Sequence, residues 1–218
     1  VLHLDAGNLG EVVEGQPVEN WPDLSGNGND ANQPVMADYR PVYVVDGGNG
    51  RPVIRFDGVD DHLVVRNNLA GGTSGRTIFV VARPNKLGDM ALVQLNPEQI
   101  QNAAKTPYTY RFTPEVGIRM SGNKMFQNDA LSIVEPSILG VGNPQDGIIN
   151  DLKLWKNGAE LTDMTGGGGT GLLDIQGETT AIGARAATTN QLDGDMAEVL
   201  VYNRLLDTDE VRLLQFYL

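Results

Sequence analysis

The stretch Leu152-Lys-Leu-Trp-Lys156 alternates apolar and charged residues and runs directly into Asn157-Gly158, with Ala159-Glu-Leu161 behind it. Alternation at period two puts successive side chains on opposite faces of a strand, and Asn-Gly tolerates the two positive φ angles of a type I′ turn. These ten residues therefore specify a β-hairpin, and the rest of the chain is written the same way. Short runs rich in Val, Ile, Leu and Thr are cut by Gly, Pro, Asn and Asp.

Strands are expected at Val1 to Leu4, Met90 to Leu95, Tyr108 to Phe112, Gly117 to Met120, Ser137 to Val141, Thr180 to Gly183 and Ala197 to Tyr202. Thr77-Ile-Phe-Val-Val-Ala-Arg83 is almost continuously apolar, as a central strand buried on both faces is, and Pro84 ends it. Pro52-Val-Ile-Arg-Phe56 and His62-Leu-Val-Val-Arg66 flank Asp57-Gly-Val-Asp-Asp61, which predicts a second hairpin with a five-residue loop. Glycine, at 27 of 218 residues, is roughly twice as frequent as its usual ~7%, which supplies the many turns this pattern needs.

Asp207 and Glu210 form a capping-box pattern that opens a single short C-terminal helix. Its Val211, Leu214 and Leu218 share one face, expected to seal an end of the domain. Gly166-Gly-Gly-Gly-Thr-Gly171 lacks the Lys-Ser/Thr ending of a phosphate-binding loop and reads as a mobile connection. With no internal repeat and no Pro/Ser/Thr linker, residues 1–218 read as one all-β domain, long enough to bury about 70% of its unfolded surface.

Composition removes several classes of function. Asp and Glu number 28 against 16 Lys and Arg, a formal charge of −12, and no basic stripe is available for phosphates, so nucleic acid is not an expected partner. The absence of cysteine excludes disulfides, thiolate zinc sites and cysteine nucleophiles. No apolar stretch reaches the roughly 20 residues a spanning helix requires, and the chain opens at Val1 without a basic, apolar leader. A soluble chain without membrane insertion is expected.

Three segments, taken in order, carry a resemblance: Leu2-His-Leu-Asp-Ala6 with Trp21-Pro-Asp-Leu-Ser-Gly-Asn-Gly-Asn-Asp30; Arg55-Phe-Asp-Gly-Val-Asp-Asp61; and Gly194-Asp-Met-Ala-Glu-Val-Leu-Val-Tyr-Asn-Arg-Leu-Leu206. They resemble the concanavalin A-like, laminin G-like jelly rolls of bacterial exported proteins, and residues 86 to 145 add little to the match. The resemblance implies a two-sheet antiparallel jelly-roll sandwich with one short C-terminal helix. It also implies an extracellular, secreted or surface-exposed location, on a cell or a virion. Domains of this kind serve in carbohydrate binding, cell adhesion and assembly, because function on a shared fold lives in its loops.

Calcium is the ligand to which the turns are best suited, since it takes six to eight hard oxygens from Asp, Asn and backbone carbonyls. Candidate ligands are Asp23, Asn27 and Asn29 in the first loop and Asp57 and Asp61 in the second. The resemblance adds Glu198, with Asp5 or Asp195, where the terminal strands meet. Asn and Asp also favour tight turns without any ion, so turn chemistry competes at each loop.

For a glycan, aromatic faces beside hydrogen-bonding groups are needed, and Trp21, Tyr108 and Tyr110 are the candidate platforms. Tyr108 and Tyr110 stand two apart on one strand. Catalysis is not expected. The Glu-x-Asp-x-Glu strand of the glucanases of this fold is absent, His3 and His62 lack the neighbours of an alginate lyase site, and no nucleophile elbow or His-Glu-x-x-His motif occurs. Both histidines read as structural.

The expectation is thus a non-catalytic extracellular module that binds carbohydrate or a surface protein through its loops, with calcium as a candidate cofactor. The alternative is a structural subunit that assembles with copies of itself in a surface filament, coat or virion decoration.

Overall fold

The computed structural model describes the chain except residues 48, 68, 87, 89, 96–107, 114–116, 121–124, 127–131, 163, 166–171, 176–177 and 186–189; the side chains of 108–113, 117–120, 125–126, 149 and 164–165 also lie outside the description. Two antiparallel sheets face each other. The first runs, edge to edge, β14 (Ala159–Glu160), β13 (Lys153–Lys156), β12 (Ser137–Asn143), β7 (Arg76–Pro84), β17 (Asp193–Tyr202), β5 (Val53–Asp57) and β4 (Val42–Val44), with β1 (Leu2–Asp5) also on β17. The second runs β15 (Met164–Thr165), β11 (Met125–Phe126), β10 (Gly117–Met120), β9 (Tyr108–Thr113), β8 (Met90–Leu95), β16 (Thr180–Ile182), β6 (Leu63–Val65), β3 (Ala31–Asn32) and β2 (Asn20–Trp21).

The near-continuous apolar run becomes β7, central in the first sheet between β12 and β17. Ile78 and Val80 enter the core between the sheets with Ile54, Phe56, Val141, Val199 and Val201. Their neighbours Phe79 and Leu200 belong to a second cluster on the opposite face, as alternation requires. The Asn157-Gly158 hairpin forms as expected, with φ of 47° and 92° at the two turn residues.

The Asp57–Asp61 turn does not close a hairpin. β5 pairs with β4 and β17 in the first sheet, whereas β6 pairs with β3 and β16 in the second. The acidic turn is therefore an arch that carries the chain from one sheet to the other. Helix α1 (Thr208–Tyr217) also lies elsewhere than at an end. Val211, Leu214 and Leu218 pack with Phe79, Trp155, Leu200 and Leu206 on the outer face of the first sheet. A single helix covering one sheet face gives those apolar residues the second layer they need.

Candidate functional site

Trp21 begins the first polar loop at the end of β2, but its side chain is 0% exposed and belongs to the core. An indole with no solvent-facing surface offers nothing for a sugar ring to stack on. Its candidacy as a platform is thus corrected: the aromatic residue beside the loop anchors the loop to the core. Tyr108 and Tyr110 lie on β9, paired in register with Leu95 and Met120. Their side chains lie outside the described residues.

The loop from Asp23 to Asp30 is closed by its own hydrogen bonds. Asp23 Oδ1 accepts from the backbone N–H of His3 and of Ser25, and Oδ2 accepts from Ser25 Oγ and the Asn29 N–H. Burial would raise its pKa, but the donors of Asn29, His3 and Ser25 outweigh that and hold the carboxyl below its ordinary range. Asn27 donates from Nδ2 to Ser25 Oγ. Asn29 donates to the Val1 carbonyl and accepts from Asn67. Asp23 and Asn29 spend their oxygens inside the protein, so this set does not fit a calcium ion, and turn chemistry accounts for the loop.

Glu198 stands opposite Asp5 in the β1–β17 ladder. It is 7% exposed, and its Oε1 lies 2.8 Å from His3 Nε2. The ring of Tyr217 meets that of His3 edge-on at 6.2 Å. Burial pushes the Glu198 carboxyl up, against the hydrogen bonds from Tyr217 and His3. Asp5 meanwhile accepts from the Gly7 N–H and from Asn8. Both carboxylates are engaged with protein donors, and this pair ties the terminal strands and the end of α1 together.

The arch differs. Asp57, Asp60 and Asp61 each bring a carboxylate oxygen within 4.8 Å of the others. Asp57 Oδ1 accepts from the N–H groups of Val59 and Asp60, and Asp61 Oδ2 accepts from the Asp57 N–H. Asp61 is 5% exposed. Burial, with repulsion from Asp57 and Asp60, outweighs that N–H bond and raises its pKa from 3.8 to about 7. The donor set, all carboxylate oxygen with lone pairs to spare, fits a hard cation such as calcium. His62, next in sequence, is structural: Nδ1 lies 2.8 Å from the Asp60 carbonyl and Nε2 lies 2.8 Å from Gln33 Nε2.

The feature that sequence reasoning missed lies along α1. Between this helix, the Asn157-Gly158 turn and the outer face of the first sheet runs a groove of about 540 Å³, floored by Val81, Pro136 and Ile138. Its helical wall presents Arg212, Gln215 and Phe216, the last 90% exposed. A smaller cavity of about 170 Å³ shares Val81, Pro136 and Leu218 with it and continues towards Arg51, Arg83 and Asp195. Phe216 was the available signal, because it stands off the Val211/Leu214/Leu218 stripe, on the side of the helix that packing does not explain.

No protein-family model matches the sequence, and no curated protein matches it. Solved structures share its architecture. Domain 4 of AbnA, a GH43 extracellular arabinanase from Geobacillus stearothermophilus in complex with arabinotriose, matches with a TM-score of 0.65 at 14% identity, over 98% of this chain and 97% of that one. A GH54 arabinofuranosidase complexed with arabinofuranosyl-α-1,2-xylobiose matches with a TM-score of 0.65 at 12% identity, over 92% of this chain and 50% of that one. Trypanosoma rangeli sialidase matches with a TM-score of 0.58 at 16% identity, over 99% of this chain and 32% of that one. This chain therefore spans nearly all of the arabinanase domain, half of the arabinofuranosidase and about a third of the sialidase. At these identities the likeness establishes the fold, a two-sheet antiparallel β-sandwich.

Proposed function

We propose that this chain is a non-catalytic, extracellular module that recognises carbohydrate. The observation that carries the reading is the α1 groove: about 540 Å³ against the first sheet, with one freely exposed aromatic ring beside Arg212, Gln215 and Asn157. That size falls within the roughly 300–1,000 Å³ of small-ligand sites, and a ring face beside hydrogen-bonding side chains is what a sugar requires. The match over the full length of an arabinanase domain held with arabinotriose supports the same class of ligand.

The absence of catalysis is supported by how the close carboxylates are used. Asp57 and Asp61 are near enough for a glycosidase pair. However, Asp61 is buried, and both accept backbone N–H groups of their own turn. Calcium enters the proposal at Asp57, Asp60 and Asp61, where the ion would hold the arch and take no part in chemistry.

A glycan array followed by isothermal titration with each glycan that scores tests the reading. Saturable binding without turnover of the oligosaccharide is the expected result. Binding to none, or release of shorter sugars, would overturn it.

A further inference from the structure

We propose that the α1 groove and its continuation select an acidic sugar, a carboxylate-bearing glycan of the uronate class, with Phe216 as its stacking face and Arg51, Arg83 and Arg212 as its charge partners. The inference rests on the reading of the chain as a glycan-binding module and adds the charge of the ligand and the residues that read it.

The chain carries a formal charge of −12, so a patch drawn at random from its surface is expected to be acidic. This groove is the reverse. Arg212 stands on the helical wall, 3.6 Å from the exposed Asp209 one turn earlier, and Arg51 and Arg83 line the smaller cavity that continues it. Asp195 is the one carboxylate side chain among the lining residues, and its charge is already answered. Its Oδ1 accepts from Arg55 Nε at 2.7 Å, while its Oδ2 accepts from Arg55 Nη2 at 3.1 Å and from Arg83. Counting Arg55 with the lining, three arginines at this end face one carboxylate side chain, and Arg51 has no ion-pair partner among the described residues.

Guanidinium groups favour carboxylates because their N–H fork matches the two oxygens. The apolar floor of Val81, Pro136 and Ile138, with the open ring of Phe216, suits the C–H faces of a pyranose and not a bare anion. Acidic groups and hydrophobic ring faces occur together in uronate oligosaccharides.

The test is isothermal titration of the whole chain with trimers of galacturonate, glucuronate and mannuronate, with the methyl ester of each, and with arabinotriose as a neutral sugar. At least one uronate trimer is expected to bind, and its methyl ester about tenfold more weakly or worse, since the ester keeps the ring and removes the charge. Arg51→Ala and Phe216→Ala, both at exposed positions and checked by circular dichroism for an unchanged fold, should each weaken the acid about fivefold or more.

Equal affinity for acid and ester, or uronate binding untouched by both substitutions, would overturn the proposal while leaving the glycan-binding reading intact. Binding of arabinotriose alone would do the same. No binding to any glycan, on these trimers or on an array, would remove both. Self-association in light scattering that Phe216→Ala abolishes, with no uronate binding, would make the groove a contact between copies and overturn the proposal.

Discussion

Asp195 stands directly between Arg55 and Arg83 in a rung across β5, β17 and β7, paired in register with both. The carboxylate is 2% exposed and bonded to both guanidinium groups, so one charge laces three strands together on the outer face of the first sheet. Two members of the rung, Asp195 and Arg83, also line the cavity that continues the α1 groove.

Removing the shared partner leaves two arginines facing each other. Breaking a buried ion pair from one side costs about 3–5 kcal/mol, and the partial exposure of both arginines lowers the expectation for Asp195→Ala to about 2–3 kcal/mol. Arg55→Ala should cost less, about 1 kcal/mol, because Arg83 still answers the carboxylate. Urea unfolding measures both, through a lower midpoint at constant slope.

Gly140 lies opposite Phe79 in the β7–β12 ladder, and a Cβ there would sit 2.4 Å from the phenyl ring. The ring cannot yield easily, because it stacks on Trp155 at 5.7 Å beneath α1. Gly140→Ala is expected to cost about 1–3 kcal/mol by overpacking. Phe79→Leu in the same chain should recover part of that loss, and a double-mutant cycle reads the coupling.

The capping box of α1 is complete. Asp207 accepts from the N–H groups of Asp209 and Glu210, and Glu210 accepts from the Asp207 N–H while pairing with Arg204 at 2.6 Å through both oxygens. Asp207→Ala should destabilise the chain by about 1 kcal/mol. Because α1 is a wall of the groove, the affinity for any glycan held there should fall with it, which titration beside thermal unfolding would reveal.

What the sequence revealed and what it concealed divide along a physical line. Local chemistry was legible: Asn157-Gly158 makes its turn, Asp207 and Glu210 make their cap, and the run around Val80 becomes the central strand. Pairing between distant segments was not. An arch and a hairpin use the same Gly and Asp turn residues, so Asp57–Asp61 looked like the latter while β5 and β6 went to different sheets. The stripe of Val211, Leu214 and Leu218 indicated that α1 packs, but the surface it covers is set by Phe79, Trp155 and Leu200, from three separate strands. The candidate site was hidden for the same reason: Arg51, Arg83 and Phe216 come from three parts of the chain and meet only through the fold.

Asp61 gives the sharpest pH dependence. Its pKa stands at about 7 in the folded chain against 3.8 as the ordinary value, with burial as the main cause. Between those two values the folded protein holds a proton that the unfolded chain has released. Stability therefore falls as pH rises through this window and levels off above it. A shift of roughly 3 units at about 1.4 kcal/mol each sets an upper bound near 4 kcal/mol. Asp61→Asn keeps an oxygen for the Asp57 N–H and carries no charge, so its unfolding free energy should fall less steeply between about pH 4 and pH 7, by up to one proton. The difference between wild type and variant isolates this residue from Glu198, which burial shifts in the same sense. Calcium supplies the second arm. If the ion sits among Asp57, Asp60 and Asp61, it relieves the charge that destabilises the arch above neutrality. Millimolar calcium should then raise Tm by several degrees above pH 7, less near pH 5, and less in Asp61→Asn than in wild type at either pH. An equal Tm with calcium and with chelator, at every pH, would remove the ion from the proposal.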